Sequence, residues 1–269
     1  MATKDLATIN QWPEVAKVTI SDLVDVLAAG VRDFRAAPQY GLVFGGIYAV
    51  VGMVLLIMLL YFGLYYLVYP IAMGFALVAP FASVGFYSVS DFREKGKPLS
   101  WSGVFQAIRE ASKRDLRWMA LITGFTFFIW VDYAAILFLT MMGFEALGPH
   151  LLTKIFTTSQ GWIFLLVGNL TGALIAFIVF SISVVTYPML YDRDVDFVSA
   201  IATSVRLVLA NPLTMFIWCA IIAVLTGLSL VTLFAGLFVT LPVLGHASWH
   251  LYRRTVGPPR RRDLGSDAV

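Results

Sequence analysis

The sequence is poor in charged residues and nearly devoid of cysteine. Asp, Glu, Lys and Arg make up 13% of its 269 residues, whereas a soluble domain needs about 25% to cover its water-facing surface. Hydrophobic residues make up 59%, and the mean hydropathy is +0.84. This composition excludes a soluble enzyme and a disordered chain. Cys219 is the only cysteine, which excludes a disulfide scaffold or a Cys-based zinc site within one chain.

Long charge-free runs predict the membrane spans. Each Asp, Glu, Lys or Arg costs several kcal/mol at bilayer depth, so charges mark the span ends. Residues 41–90 and 207–252 hold none, and each run is too long for one crossing of a hydrocarbon core about 30 Å thick. We therefore expect two hairpins there, turning around Gly63 and near 234–236, and single spans between them. The sequence predicts an all-α, polytopic membrane helical bundle with six transmembrane helices, near 41–62, 67–90, 116–141, 161–191, 213–233 and 237–254.

The Lys and Arg residues fall almost entirely on one side of the predicted spans. Clusters precede the first span, separate the second from the third and the fourth from the fifth, and follow the sixth; Lys154 alone falls on the other side. Because positively charged loops tend to stay in the cytoplasm, we expect both termini there. The chain then divides into a cytoplasmic N-terminal segment with an amphipathic helix (1–40), a six-span membrane domain (41–256) and a basic disordered cytoplasmic tail (257–269).

An interfacial amphipathic helix is predicted before the first, third and fifth spans. The three segments share a pattern of a branched residue, two variable residues, a small residue, one variable residue and a cation. Pro38 and Pro212 follow two of them in the same register. We infer a three-fold internal repeat of an amphipathic helix and a transmembrane hairpin, with chance similarity among Ala- and Val-rich segments as the alternative. The segments are Ser21–Ala37, Trp101–Arg117 and Asp196–Asn211.

Asp132 is a candidate intramembrane polar site, together with Asn169. It interrupts the third span beyond its midpoint, toward the external side, where a lone carboxyl group is expected to be neutral or paired. One hypothesis is a proton or cation site. The other is a helix–helix hydrogen bond, with Asn169 of the next span as the candidate partner. We favour the second, because no further acidic residue lies within any other span.

His246 and His250 are the candidate metal ligands. They are four residues apart on the last span, so both imidazoles face one side of a helix and can hold one metal ion. Zinc and copper normally need three or four ligands, however, and the remaining histidine, His150, lies on the opposite side of the membrane. Axial ligation of haem by one of them is a second hypothesis. The alternative, which we favour, is an interfacial pair beside Trp249 and Tyr252, with no cofactor.

The cations next to the spans are expected to contact anionic lipid headgroups rather than nucleic acid. The sequence has no Gly-rich phosphate loop, no HExxH motif and no GxSxG motif, so we predict that the protein is not an enzyme. The candidate headgroup contacts are Arg93, Lys95, Lys97, Lys113, Arg114, Arg117, Arg253 and Arg254.

Three stretches carry a family resemblance. They are PVLGHASWHLYR at 242–253, GFTFFIWVD at 124–132 and ATSVRLVLANP at 202–212. Together they resemble the domain of unknown function 2189 family of proteobacterial integral membrane proteins, over most of the chain from the first span to Arg254. The resemblance implies a location in the bacterial inner (plasma) membrane. Some members are labelled cytochrome c oxidase subunits, but the family has no established activity and the label transfers no site.

These observations favour a non-catalytic accessory, assembly or structural partner of a membrane complex, and the family label points toward a respiratory one. A small-solute or proton-coupled transporter or channel using Asp132 is the first alternative. A haem- or metal-binding membrane protein using His246 and His250 is the second. A stoichiometric partner retained after purification in mild detergent would separate the first hypothesis from the other two.

Overall fold

The computed structural model describes residues 13–112, 115–146 and 151–257. Helices make up 86% of it, and the described residues contain no strand. The predicted all-α membrane helical bundle is therefore confirmed. A short 3-10 turn lies at Phe144–Ala146, and the α-helices in chain order are α1 (Ile20–Ala36), α2 (Pro38–Tyr61), α3 (Tyr65–Ala82), α4 (Val84–Glu94), α5 (Trp101–Ser112), α6 (Leu116–Met142), α7 (Leu151–Thr157), α8 (Ser159–Ser183), α9 (Thr186–Asp192), α10 (Phe197–Ala210), α11 (Pro212–Val231) and α12 (Leu237–Val256).

Five apolar helical segments among the described residues are long enough to cross a membrane, and they lie where the first five spans are predicted. Two of them combine a pair of helices, α3 with α4 and α8 with α9. α12 is also long enough, since its 20 residues rise about 30 Å, but His246, His250 and Arg253 lower its hydropathy. The sixth span therefore stays a prediction. The five segments are Pro38–Tyr61, Tyr65–Glu94, Leu116–Met142, Ser159–Asp192 and Pro212–Val231.

The two hairpin turns lie close to their predicted positions. Gly63 has a φ of +69° between α2 and α3, a left-handed conformation that glycine adopts without strain. Between α11 and α12, Leu233 and Phe234 adopt φ values of 53° and 68°. The Phe234 ring is buried against Gly52 of α2, where any side chain at Gly52 would collide with it. This packing holds the second turn in a backbone conformation that larger residues otherwise avoid.

The described chain begins and ends at the same end of the bundle. The Ala16 amide donates to the Thr255 carbonyl oxygen at 2.9 Å, which joins the N-terminal segment to the last turn of α12. The Asn211 side chain accepts from the Val18 amide at 2.9 Å and donates to the Ala16 carbonyl at 3.1 Å. We call this end, which also holds α1, α4 and α9, the basic end. An even number of crossings brings a chain back to the end where it started.

Helices α1, α5 and α10 lie where the three amphipathic segments are predicted, each before a pair of long helices. Ala37 and Asn211 directly follow α1 and α10, and their φ and ψ angles nearly coincide at −142°, 55° and −134°, 54°. Pro38 and Pro212 start the next helices, because a residue before proline is kept out of the helical region while proline suits a first helical position. The matching corners agree with the three-fold repeat, which itself stays a prediction.

The core of the basic end is built by α4, α9 and the second half of α12. Phe86, Tyr187 and Trp249, one from each helix, are fully buried there. Gly30 of α1 lies against the α12 backbone, and a Cβ at Gly30 would come within 2.9 Å of the Ala247 nitrogen. The small residue in the shared sequence pattern therefore marks a close helix approach, as small residues do between membrane helices.

A Gly30→Ala substitution is expected to destabilise the protein, because the added methyl group meets backbone atoms of α12 that cannot move aside. Overpacking of this kind costs about 2 kcal/mol, which corresponds to a fall of about 5 °C in the melting temperature. The matched control is Gly124→Ala on α6, where a Cβ meets nothing within 4 Å. Thermal unfolding in detergent checks both variants, and equal melting temperatures for the two would contradict the packing described.

Candidate functional site

A cluster of polar side chains joins α1, α4 and α12 at the basic end, and we call it the Asp33 cluster. Its members are Asp33 from α1, Ser90 and Arg93 from α4, and His246 and His250 from α12. The Asp33 carboxylate accepts hydrogen bonds from the Ser90 hydroxyl at 2.6 Å, the His250 imidazole at 2.8 Å and the Arg93 guanidinium at 2.9 Å. Asp33 is buried, so these bonds replace the water that the carboxylate has lost.

Hydrogen-bond directions fix the roles of the two histidines. Ser90 donates its only hydroxyl proton to Asp33, so it accepts at 2.8 Å from a proton on His246 Nδ1. His246 Nε2 is then a lone-pair acceptor, and it is buried without a hydrogen-bond partner among the described residues. His250 donates from Nε2, because an ionised carboxylate can only accept.

The Asp33 carboxyl group is held in its ionised form. Burial on its own would raise the pKa of Asp33, but the hydrogen bonds from His250, Ser90 and Arg93 outweigh burial and hold the pKa well below its ordinary value of 3.8. The cluster is consequently a closed ion pair network at neutral pH. Its chemistry suits the positioning of three helices rather than proton transfer.

A second ionic network occupies an adjacent face of α12. The Arg253 guanidinium lies 2.7 Å from an Asp192 carboxylate oxygen, 2.9 Å from Glu94 and 3.5 Å from Asp91. The same guanidinium stacks 4.5 Å from the centroid of the Trp249 ring, whose indole N–H donates to Glu94 at 3.0 Å. Arg253 therefore ties α12 to both α4 and α9, with a cation–π contact as well as charge pairing.

The candidate headgroup cations divide into two groups. The Arg253 side chain is only 12% exposed and is paired with three carboxylates, so it lies inside the protein and not at a headgroup as expected. Arg93 is likewise engaged by Asp33. Lipid contact by the other cations stays a prediction. Lys95 pairs with Asp91, and Arg254 pairs with Asp22 and Asp25. Lys97 lies near the Phe92 ring and Arg117 near the Trp118 ring, while Lys113 and Arg114 fall outside the described residues.

The two candidate metal ligands face one side of α12, as predicted, but they do not converge on a common point. His250 Nε2 bonds to Asp33 and His246 Nδ1 to Ser90. The described residues contain no group of three or more His, Cys, Asp or Glu placed to hold a metal ion. His150 lies outside the described residues. A haem iron or a metal ion needs an accessible ring nitrogen, so the fully buried His246 and the engaged His250 do not fit either group.

A cavity of about 440 Å³ lies within the membrane-spanning part of the bundle. Helices α3, α8, α11 and α12 form its walls, and Trp130 of α6 completes one side. Its volume falls within the range of about 300–1,000 Å³ typical of small-molecule sites. Most of the large side chains that line it are apolar, including Met73, Leu77, Phe180 and Ile222.

Several of the polar groups that line this cavity are hydrogen-bonded within the protein itself. The hydroxyls of Ser83, Ser183 and Ser248 each donate to a carbonyl oxygen one turn earlier in the chain, at 3.1, 2.6 and 2.8 Å. At the opposite end of the cavity, the Tyr69 hydroxyl donates to the Asn169 side chain at 2.6 Å. The cavity therefore offers an apolar surface and few free hydrogen-bonding groups.

The structure does not bring Asp132 and Asn169 together. Asn169 bonds to Tyr69 and donates to the Leu165 carbonyl at 2.8 Å, so the expected hydrogen bond with Asp132 is not formed. Asp132 is exposed, and the described residues provide it with no hydrogen bond or ion pair. The reason is its position on α6, two residues from the buried Trp130 and Ala134, which places it on the opposite face.

Sequence reasoning missed Asp33 and Ser90. One signal was available, because Asp33 falls in the apolar stripe of α1, at helical spacing from the buried Val26, Ala29 and Gly30. A carboxylate in such a stripe needs a cationic or hydrogen-bonding partner. The serine carried no comparable signal.

The family model for a predicted integral membrane protein family, domain of unknown function 2189, matches residues 68–192. This stretch runs from within α3 to the end of α9, and the family resemblance is confirmed over it. Of the three motifs that carried the resemblance, 124–132 lies inside the match, and 202–212 and 242–253 lie beyond it. Comparisons with curated proteins and with solved structures returned no match.

Replacing Asp33 with Ala should destabilise the protein, because His250, Ser90 and Arg93 lose their shared acceptor. Removing one member of a buried charge pair costs about 3 kcal/mol or more, which corresponds to about 10 °C in melting temperature. Asp25→Ala on the same helix is the control, since the Asp25 side chain is 64% exposed and its ion pair with Arg254 contributes little. Thermal unfolding that shows equal losses would exclude the Asp33 cluster as a stabilising unit.

The stability of the wild type should fall more steeply in acid than that of Asp33→Asn. The pKa of Asp33 is lowered from 3.8 in the folded protein, so its stabilising contribution is present above pH 3.8 and is lost as the pH falls toward the lower folded value. Melting temperatures measured between about pH 5 and pH 2 check this. Parallel curves for the two proteins would show that Asp33 does not carry the effect.

Proposed function

We propose that this protein is a non-catalytic accessory or assembly partner that docks on another integral membrane protein through the outer face of α6. The observation that carries the proposal is Asp132. It lies within a 27-residue apolar helix, a little beyond the midpoint, on the face turned away from the rest of the bundle. Its exposed neighbours on that face are the apolar residues Phe128, Ile129 and Ile136.

A carboxyl group in this position is unfavourable in lipid. Insertion scales assign about 2.5–3.5 kcal/mol to an aspartate at the centre of a membrane helix. Intramembrane carboxylates almost always pair with another polar group, and the described part of this chain supplies none to Asp132. A helix of another protein that carries Arg or Lys at the same depth would remove this penalty.

A heterologous partner fits better than a second copy of this chain. A second copy joined through the same face would bring another carboxylate toward Asp132, and two like charges at close range disfavour each other. Charge complementarity therefore favours a basic partner helix. The family label connects such a partner with a respiratory complex.

We place the protein in the bacterial inner membrane, with both termini in the cytoplasm. Support comes from the clustering of Lys and Arg at the basic end and from the hydrogen bond between Ala16 and Thr255, which brings the two described chain ends together. Anionic lipid headgroups are the expected contacts of the exposed cations there, including Lys97 and Arg117.

The two alternative functions have less support. A transporter using Asp132 would need it to face a pathway, whereas the cavity is lined by Asn169 but not by Asp132. A metal site shared by His246 and His250 would need the two to converge, and each bonds to a different residue. An axial haem ligand would need an accessible ring nitrogen, whereas His246 is fully buried and His250 bonds to Asp33. The Asp33 cluster and the Arg253 network each pair their charges between helices, so these polar groups are explained by helix positioning alone.

Asp132→Leu is expected to abolish recovery of a stoichiometric partner in an affinity purification from native membranes in mild detergent, because the hydrogen-bonding group is lost. Asp132→Glu should keep the partner. The control is Thr140→Leu, two turns further along the same face, where the hydroxyl is already satisfied by the Ile136 carbonyl at 2.8 Å. A photo-crosslinker at Ile136 should capture the same partner, and mass spectrometry identifies it.

The partner so identified should carry a basic residue within a predicted membrane span. The proposal would be overturned if the wild-type protein purified alone. It would also be overturned if the Asp132→Leu variant kept the partner that the Thr140→Leu control keeps. A crosslink that joins two copies of this chain would contradict the heterologous pairing.

A further inference from the structure

The intramembrane cavity has the length of a lipid chain. Tyr69 of α3 and Ser83, directly after α3, line it on one side, and Asn169 and Ser183 of α8 line it on another. The residues of each pair are fourteen positions apart, which corresponds to about 21 Å along a helix, while one leaflet takes about half of a hydrocarbon core about 30 Å thick. One extended chain from a single leaflet therefore fits along the cavity.

We propose that this cavity binds one acyl chain of a membrane phospholipid. The proposal is independent of the partner at Asp132 and concerns a different face of the bundle. The three serine hydroxyls on the wall, Ser83, Ser183 and Ser248, are occupied by carbonyl groups of the protein. Because the rest of the wall is mainly apolar, a sugar, an amino acid or an ion would lose its water and gain few hydrogen bonds in return, whereas a hydrocarbon chain loses nothing.

The cavity is continuous with the lipid-facing surface. Met73 and Tyr69 line the cavity and are also 38% and 49% exposed, so the wall formed by α3 passes into the outer surface of the bundle. Apolar walls without contacts forfeit dispersion energy, and a lipid chain entering from the side restores those contacts.

Photo-crosslinking in nanodiscs tests the assignment. The discs contain a phosphatidylglycerol with a diazirine in one acyl chain, and peptide mapping locates the labelled residues. We expect labels on Ala176 and Ile222 in the cavity in addition to labels on Leu170 and Leu174, which are 62% and 60% exposed on the outside of α8. Labels confined to the outward residues in the wild type would overturn the proposal without any variant.

Gly227→Phe should close the cavity, because Gly227 lines it and a Cβ there meets nothing within 4 Å. We expect the cavity labels to fall by about tenfold while the labels on Leu170 and Leu174 stay unchanged. Gly124→Phe is the matched control, since Gly124 has the same free space but lies outside the cavity, and it should keep both sets of labels. Cavity labels that survive the Gly227→Phe substitution would contradict binding in the cavity. Displacement of the cavity labels by an equimolar unlabelled isoprenoid quinone would contradict a phospholipid acyl chain as the occupant.

Discussion

Hydrocarbon offers no hydrogen bonds, and this constraint organises the whole basic end of the molecule. α12 carries His246, His250 and Arg253 in its second half. These groups cannot face lipid, so α12 is surrounded by helices that supply carboxylates: Asp33 from α1, and further carboxylates from α4 and α9. The glycine at position 30 allows the close approach of α1 that this arrangement needs.

The same networks hold α12 in its position within the bundle. Buried ion pairs contribute little net stability compared with apolar packing, but they are costly to break, so their main effect here is to fix the position of α12 against α1, α4 and α9. The two faces of α12 then serve different purposes. His246 and Trp249 belong to the polar core, whereas Gly245 and Ser248 line the apolar cavity. A rigid, internally paired region thus borders a space that suits a lipid chain, while Asp132 stays on the outer surface for a partner.

The sequence predicts the parts of this fold that depend on local composition. Charge-free runs locate the long helices, and Pro38 and Pro212 locate two of the corners. Contacts between distant segments are not accessible in this way, because Asp33 and His250 are separated by 217 positions and nothing local links them. Arg253 shows the same limit: its position beside a span suggests a lipid headgroup, but three carboxylates from two other helices surround it. The cavity arises from the separation of whole helices, which no single residue encodes.

Disulfide formation between the two described chain ends tests most directly the claim that α12 holds the chain ends together at the basic end. With Cys219 replaced by Ala, the pair Ala16→Cys and Thr255→Cys should crosslink within one chain on mild oxidation in native membranes, since residues joined by a backbone hydrogen bond lie at a distance that a disulfide spans. The pair Ala16→Cys and Leu152→Cys, on opposite ends of the bundle, should not. Failure of the first pair, or equal crosslinking of the second, would contradict the account.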